Sequence, residues 1–269
     1  MRIYNNVNSI SIQNDLNNTN MSMQTSLQRL STGLRINSAA DDAAGLSVSE
    51  GLRSQIRGST QAQQNANDGL ALLQIAEGGT SQITDNLQRM RELAVQASNG
   101  TYSNTDRGYI QQEYTALASE ITRIAEATTY NNTALLSNTS TFSFQISAAS
   151  AGASSTITFT AVNLSSGLSF GGVSLQSTAQ SAIAKIDAAL TSVLSLRSTL
   201  GSTMNRLDST VTNLGNMVTN LTSAESQIRD TNFATETTNF TRNQILTQSA
   251  TSMLAQANQL PSGVLKLLG

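Results

Sequence analysis

The chain has 269 residues and a net charge of −2, and only 12% of its residues are charged, about half the usual share of a globular protein. It contains no histidine and no cysteine, which excludes Ser-His-Asp and Cys-His nucleophilic systems, disulfides and zinc sites of the usual ligand set. There is no basic field for nucleic acid, no polybasic patch and no apolar run of membrane-spanning length, so neither nucleic-acid binding nor membrane insertion is expected.

Met1 to Asn8 holds no apolar run of signal-peptide length, so any export is expected to use a route that reads no cleaved leader. A first helix is predicted from the ladder Ile12, Leu16, Thr19, Met23, Leu27, Leu30 and Leu34, with Ile3, Val7 and Ile10 leading in. Its other face is Asn, Gln, Ser and Thr, so in isolation it is a weak helix. Gly33 and the stretch from Asn37 to Gly45 mark a break. Asp41 and Asp42 suit the start of the next helix better than a metal or acid-base site, because adjacent carboxylates on a helix diverge by about 100°.

The second helix is predicted over 44–98, with the stripe Leu70, Leu73, Ala76, Thr80, Ile83, Leu87, Met90, Ala94 and Ala97. Gly78-Gly79 costs about 1 kcal/mol per glycine and predicts a local bend. Asn99-Gly100 ends this helix, Ser103 to Asp106 opens a third, and the ladder Ile110, Tyr114, Leu117, Ile121, Ile124 continues it. The short turn makes the two antiparallel neighbours. Glu50, Glu77, Glu92, Glu113 and Glu120 read as solvated faces or ion pairs with nearby arginines, and the N-glycosylation tripeptides at Asn17, Asn20 and Asn131 as chance in an Asn-rich chain.

The period then changes to two. Phe142, Phe144 and Ile146, then Ile157 and Phe159 with Val162 and Leu164, predict a hairpin whose turn is the stretch from Ala148 to Ala153. Leu168, Phe170, Val173 and Leu175 suggest a further strand interrupted by Gly171-Gly172. Next comes the longest signal. From Ile183 to Ile228, fourteen positions at alternating three- and four-residue steps include twelve apolar ones, broken only by Arg197 and Glu225. This is a coiled-coil pattern about 70 Å long at 1.5 Å per residue. Asp230 to Thr241 is polar and carries Phe233 and Phe240, and a last ladder reads Leu246, Ala250, Met253, Ala257, Leu260, Val264, Leu267. Pro261, the one proline, is expected to bend or break it and set Val264 to Leu268 at an angle.

The expected fold is mainly α: an elongated antiparallel helical bundle or coiled coil, with a small β-hairpin region at the chain midpoint and both termini at one end. Its parts are 1–40, the N-terminal helix of a terminal coiled-coil domain; 41–137, the N-terminal helices of a middle domain; 138–176, the hairpin region; 177–232, the long C-terminal helix; and 233–269, the C-terminal helix of the terminal domain. The middle stripes serve as internal core. The terminal pair has too little apolar area to fold alone and is assigned to association between subunits. That seam is Ile12, Leu16, Met23, Leu27, Leu30, Leu34, Leu246, Met253, Leu260 and Val264. No enzymatic activity and no cofactor are expected.

The block Gln28-Arg29-Leu30-Ser31-Thr32-Gly33-Leu34-Arg35-Ile36-Asn37-Ser38-Ala39-Ala40-Asp41-Asp42-Ala43-Ala44-Gly45-Leu46 resembles bacterial flagellin. So do Leu87 to Gln96, Gln244-Ile245-Leu246, and Leu254-Ala255-Gln256-Ala257-Asn258-Gln259-Leu260-Pro261. The resemblance covers about 1–140 and 175–269, and residues 138–175 leave no room for a large outer domain. It implies a secreted, extracellular subunit of the flagellar filament, a helical homopolymer for swimming motility. It also implies passage through the flagellar type III export apparatus with an export chaperone on the apolar tail, and meetings with the filament cap and hook-junction proteins. A hook-filament junction protein, or a soluble immune-receptor ligand or adhesin, is the alternative. In the family a patch on the middle helices engages the Toll-like receptor that senses flagellin, and Gln88, Arg89, Leu93 and Glu113 match it.

Overall fold

The structure, a computed structural model, describes residues 6–148, 155–165 and 170–268, over 260–268 for the backbone alone. The described residues form helices α1 (Val7–Thr32), α2 (Ala43–Ser98), α3 (Asn104–Ala127), α4 (Gln176–Arg229) and α5 (Phe233–Leu268). Between α3 and α4 lie strands β1 (Thr129–Tyr130), β2 (Thr133–Ala134), β3 (Thr141–Gln145) and β4 (Thr156–Thr160). The chain is thus mainly α with small hairpins mid-chain, and no described helix is long and apolar enough to cross a membrane. Residues 55–219 form one compact unit, and residues 1–54 with 220–269 another.

In the 55–219 unit three helices share a single core. The α2 stripe from Leu73 to Ala97, the α3 positions Ile110, Tyr114, Ile121 and Ile124, and Ile186, Val193, Leu200 and Leu207 of α4 are all buried in it. The 3-4 spacing places these residues on facing stripes, and Ala76, Ala94, Ala97, Ala182 and Ala189 among them hold the helices close. Arg197, which interrupts the α4 ladder, is answered from α2: its Nε and Nη2 donate to Glu77 Oε1 at 2.9 and 2.7 Å.

The α2–α3 turn is closed by polar chemistry. Ser103 and Asp106 form a reciprocal capping box, with the Ser103 hydroxyl and N–H both donating to Asp106. Those bonds hold the Asp106 carboxyl below its usual pKa. The buried Arg107 donates to Ala97 O at 2.8 Å, Asn99 O at 3.0 Å and Asn104 Oδ1 at 3.1 Å, so the end of α2 is satisfied by a cation of α3.

Helix α2 runs through the Gly78-Gly79 pair, which does not end it. Gly79 serves close packing instead: a Cβ there would lie 2.7 Å from Thr128 Oγ1 and 2.9 Å from Leu136 Cδ1. The predicted hairpin forms as β3 and β4, antiparallel, with Phe142 opposite Phe159 and Phe144 opposite Ile157. Its turn from Ala148 to Ala153 lies, after Ala148, outside the described residues. Phe170 to Leu175 form no strand, and Leu168 lies outside the described residues. There the Val173 N–H donates to the Gln111 side chain of α3 rather than to a strand partner. A further hairpin, β1–β2, turns on Asn131 and Asn132 at φ 46° and 64°, the left-handed pair of a type I′ turn.

Candidate assembly surface

In the other unit, α1 and α5 pair antiparallel. Asn6 caps α1, its Oδ1 accepting from Ser9 N at 3.2 Å, and Gly33 ends it at φ 73° with its N–H on Arg29 O. Asp42, just before α2, accepts from Gly45 N at 2.9 Å, which confirms its helix-start place; Asp41 gathers Asn37 N, Ser38 N and Ser38 Oγ, and its pKa is lowered chiefly by the Ser38 bonds. The segment after α1 is stitched to the end of α4 and the α4–α5 connection by Arg35 N to Arg229 O at 2.7 Å and Thr231 N to Gly33 O at 2.9 Å. Asn232 then caps α5, which starts at Phe233 inside the stretch that reads as polar in sequence.

The two helices meet along polar and small residues as much as large ones. On α1, Ile12, Leu16, Thr19, Met23, Ser26 and Leu30 turn inward, with Leu34 half-buried just beyond. On α5 the inward row is Glu236, Phe240, Asn243, Thr247, Ala250, Leu254 and Ala257. Cross-links fix the pairing: Asn6 Nδ2 donates to Ala257 O at 2.9 Å, Ser9 Oγ to Asn258 Oδ1 at 2.8 Å, and Arg29 lies 3.8 Å from the buried Glu236. Glu50 accepts from Arg53 at 2.9 Å and Arg229 at 2.8 Å, which lowers its pKa, Arg53 contributing most; Glu225, the second break in the α4 ladder, lies 3.5 Å from Arg53.

The outward faces are mostly polar, and large apolar side chains stand exposed among the polar ones. Leu27 is 56% exposed, Leu246 47% and Met253 59%, and Val7, Ile10, Met21 and Ile245 are exposed as well. Leu246 and Met253, seven residues apart, share one flank of α5. Met253 and Ile12 line a depression between the helices together with Asn8, Ser11, Gln256 and Ala257. Of the expected seam, then, Ile12, Leu16, Met23, Leu30 and Leu34 are half-buried within the unit, and Leu27, Leu246 and Met253 stand outside. The side chains of Leu260 and Val264 lie outside the described part of the structure.

The second group of expected residues sits on the α2–α3 face. Gln88 is exposed, and Arg89 bonds both Glu113 and Glu92, which raise its pKa. Leu93, at 2% exposure, points into the core and supports this surface from beneath. Among the described residues no cluster of carboxylates is arranged to hold a metal ion. Sequence reasoning missed Asn6, Ser9 and Asn232; the polar residue just before a helix is the signal that marks Asn6 and Asn232, while Ser9 lies in the first turn of α1.

The helical N-terminal region of bacterial flagellin matches residues 3–141, and the helical C-terminal region matches residues 183–268. The flagellar filament 33 kDa core protein of Treponema phagedenis is 41% identical over 285 aligned positions, covering 100% of both chains. A flagellin of Halalkalibacterium halodurans is 43% identical over 249 positions, covering 91% of each. The crystal structure of Bacillus cereus flagellin is similar with a TM-score of 0.51 at 33% identity, over 56% of this chain and 88% of that one. The two matched regions contain both helices of the terminal pair, and with full-length likeness to filament proteins they place this chain in the bacterial flagellin family.

Proposed function

We propose that α1 and α5 are the surfaces by which this flagellin joins a filament, the two helices folding and packing as each subunit is incorporated. The family sets the frame: flagellin is a structural protein, not an enzyme, and it polymerises with itself into the extracellular flagellar filament of swimming cells. Junction-protein and soluble-ligand roles are not favoured, since the relatives are flagellins and filament core proteins. The observation that carries the mechanism is the apolar exposure of Leu27, Leu246 and Met253 on a helix pair whose own interface is partly polar. Ordering these helices costs about 1–2 kcal/mol per residue, and burying each such side chain against a neighbour returns about 1.5–3 kcal/mol. The free subunit therefore keeps its termini largely unfolded, and docking on the growing end supplies the missing faces.

The test is seeded polymerisation followed by sedimentation and negative-stain microscopy. Leu246→Asp changes an exposed residue, so the 55–219 unit keeps its helical circular dichroism while filament yield collapses. Leu30→Asp, which strikes the α1–α5 interface itself, does the same. Normal polymerisation of either variant refutes the mechanism.

Further partners belong to the same proposal. The apolar segment from Val264 to Leu268 is the part an export chaperone would cover before passage through the type III apparatus, and the filament cap and hook-junction proteins would meet the terminal pair. Gln88, Arg89 and Glu113 would form the face offered to the flagellin-sensing Toll-like receptor. Hydrogen exchange of the tail with and without chaperone tests the first: absence of added protection removes it.

A further inference from the structure

We infer that Asn6 sets the register of the α1–α5 pair, by donating to the carbonyl that Pro261 leaves without its helical partner. This rests on the reading of that pair as the assembly surface, and makes Asn6 a positioning residue for polymerisation.

In an α-helix the N–H of residue i donates to the carbonyl of residue i−4. Proline has no N–H, so a proline at 261 deprives the carbonyl of Ala257. That alone argues for a break, and yet α5 continues as helix through Pro261 to Leu268. Ala257 is 6% exposed and faces α1, where an unsatisfied carbonyl would carry the full desolvation cost of a buried acceptor. The Asn6 side chain supplies the missing donor, Nδ2 to Ala257 O at 2.9 Å.

The same amide is held from its other side. Its Oδ1 accepts from Ser9 N, so capping α1 aims Nδ2 at α5. Among good capping residues asparagine alone joins an acceptor for its own helix to an amide donor for another: aspartate has no donor, and the hydroxyls of serine and threonine are shorter. A slip along α5 would bring Asn6 to interior carbonyls already bonded within the helix, and would also part Ser9 from Asn258. The pair therefore has one favoured register, and the proline that looks like a defect in sequence creates the acceptor that specifies it.

A double-mutant cycle on the full-length chain decides the matter, with the critical concentration for seeded polymerisation as readout. Asn6→Asp keeps the cap acceptor, and aspartate caps as well as asparagine, so the donor is what is lost. It should raise the critical concentration about tenfold, or about 1.4 kcal/mol. Pro261→Ala restores the backbone donor to Ala257, and in that background Asn6→Asp should change the critical concentration less than about twofold. An equal rise in both backgrounds, or none in either, overturns the inference. Failure of the wild-type chain to polymerise would instead overturn the assembly reading. Amide exchange at Ser9 to Ile12 in the assembled filament then carries the same cycle. Protection lost in Asn6→Asp but not in the double variant relative to Pro261→Ala supports the register role; equal loss, or no protection in any of the four chains, overturns it.

Discussion

Arg89 of α2 and Glu113 of α3 are bound to each other, with Nε and Nη2 of the guanidinium on one carboxylate oxygen at 3.0 and 2.9 Å while Nη1 holds Glu92 at 2.9 Å. The group bridges two helices at a half-exposed site, where an ion pair adds little to stability. If this face meets the flagellin-sensing receptor, Arg89→Ala and Glu113→Ala each lower the reporter response of purified monomer and leave the melting temperature unchanged. Because each removal also frees the other partner, the double variant loses less than the sum of the two. An inert wild-type monomer removes the receptor face from consideration.

Tyr114 places a phenol in the core with no hydrogen-bond partner, and burial pushes its pKa from 10.0 up to about 12. Tyr114→Phe is expected to stabilise the protein by about 1 kcal/mol at neutral pH, since an unsatisfied buried hydroxyl is removed with little change of shape. The folded pKa lies above the unfolded one, so the contribution to stability is intact below about pH 10 and is lost as pH rises towards 12, where the unfolded chain ionises first. Urea melts at neutral and alkaline pH should show Tyr114→Phe stronger at the first and less sensitive to the second. A weaker variant at neutral pH contradicts this account.

Arg107 is the buried cation that closes the end of α2 with bonds to two carbonyls. Arg107→Met should cost about 2–5 kcal/mol, because Ala97 O and Asn99 O lose their donors. Arg107→Lys should recover only part of this, for a single ammonium lacks the planar fork that reaches both. Urea unfolding followed at the helix signal measures it, and a loss under about 0.5 kcal/mol in Arg107→Met would show that water serves those carbonyls as well.

The helices and the middle core were legible because long 3-4 ladders specify one buried stripe: Leu73 to Ala97 and Ile183 to Leu214 lie where their spacing puts them. The facing of α5 was not legible. Its apolar ladder through Leu246, Ala250, Met253 and Ala257 shares only the two alanines with the inward row through Phe240, Asn243, Thr247, Ala250, Leu254 and Ala257. A helix with apolar residues on two sides has no single stripe, so periodicity cannot assign one side to its own partner and the other to neighbours. Strands β1 and β2 are two residues each, too short for any period, and only the Asn131-Asn132 pair carries their signal. At Pro261 a sound local rule met a donor 255 residues away in sequence, as the Asn6 bond to Ala257 spans 251.

Asp15 and Arg29 are the only charged residues of α1, and Glu236, Arg242 and Lys266 the only ones of α5; Arg29 and Glu236 lie against each other. Much of the remaining polarity is turned back on the backbone, as where Thr19, Ser22, Thr25 and Thr32 donate to carbonyls one turn before. Dissolved ions therefore find little to screen along this pair. At 0.1 M salt the Debye length is about 10 Å and at 1 M about 3 Å, a change that cripples interfaces made of charges. Cohesion by apolar faces and neutral hydrogen bonds is indifferent to that change, so a polymer held this way keeps its joints from fresh water to brine.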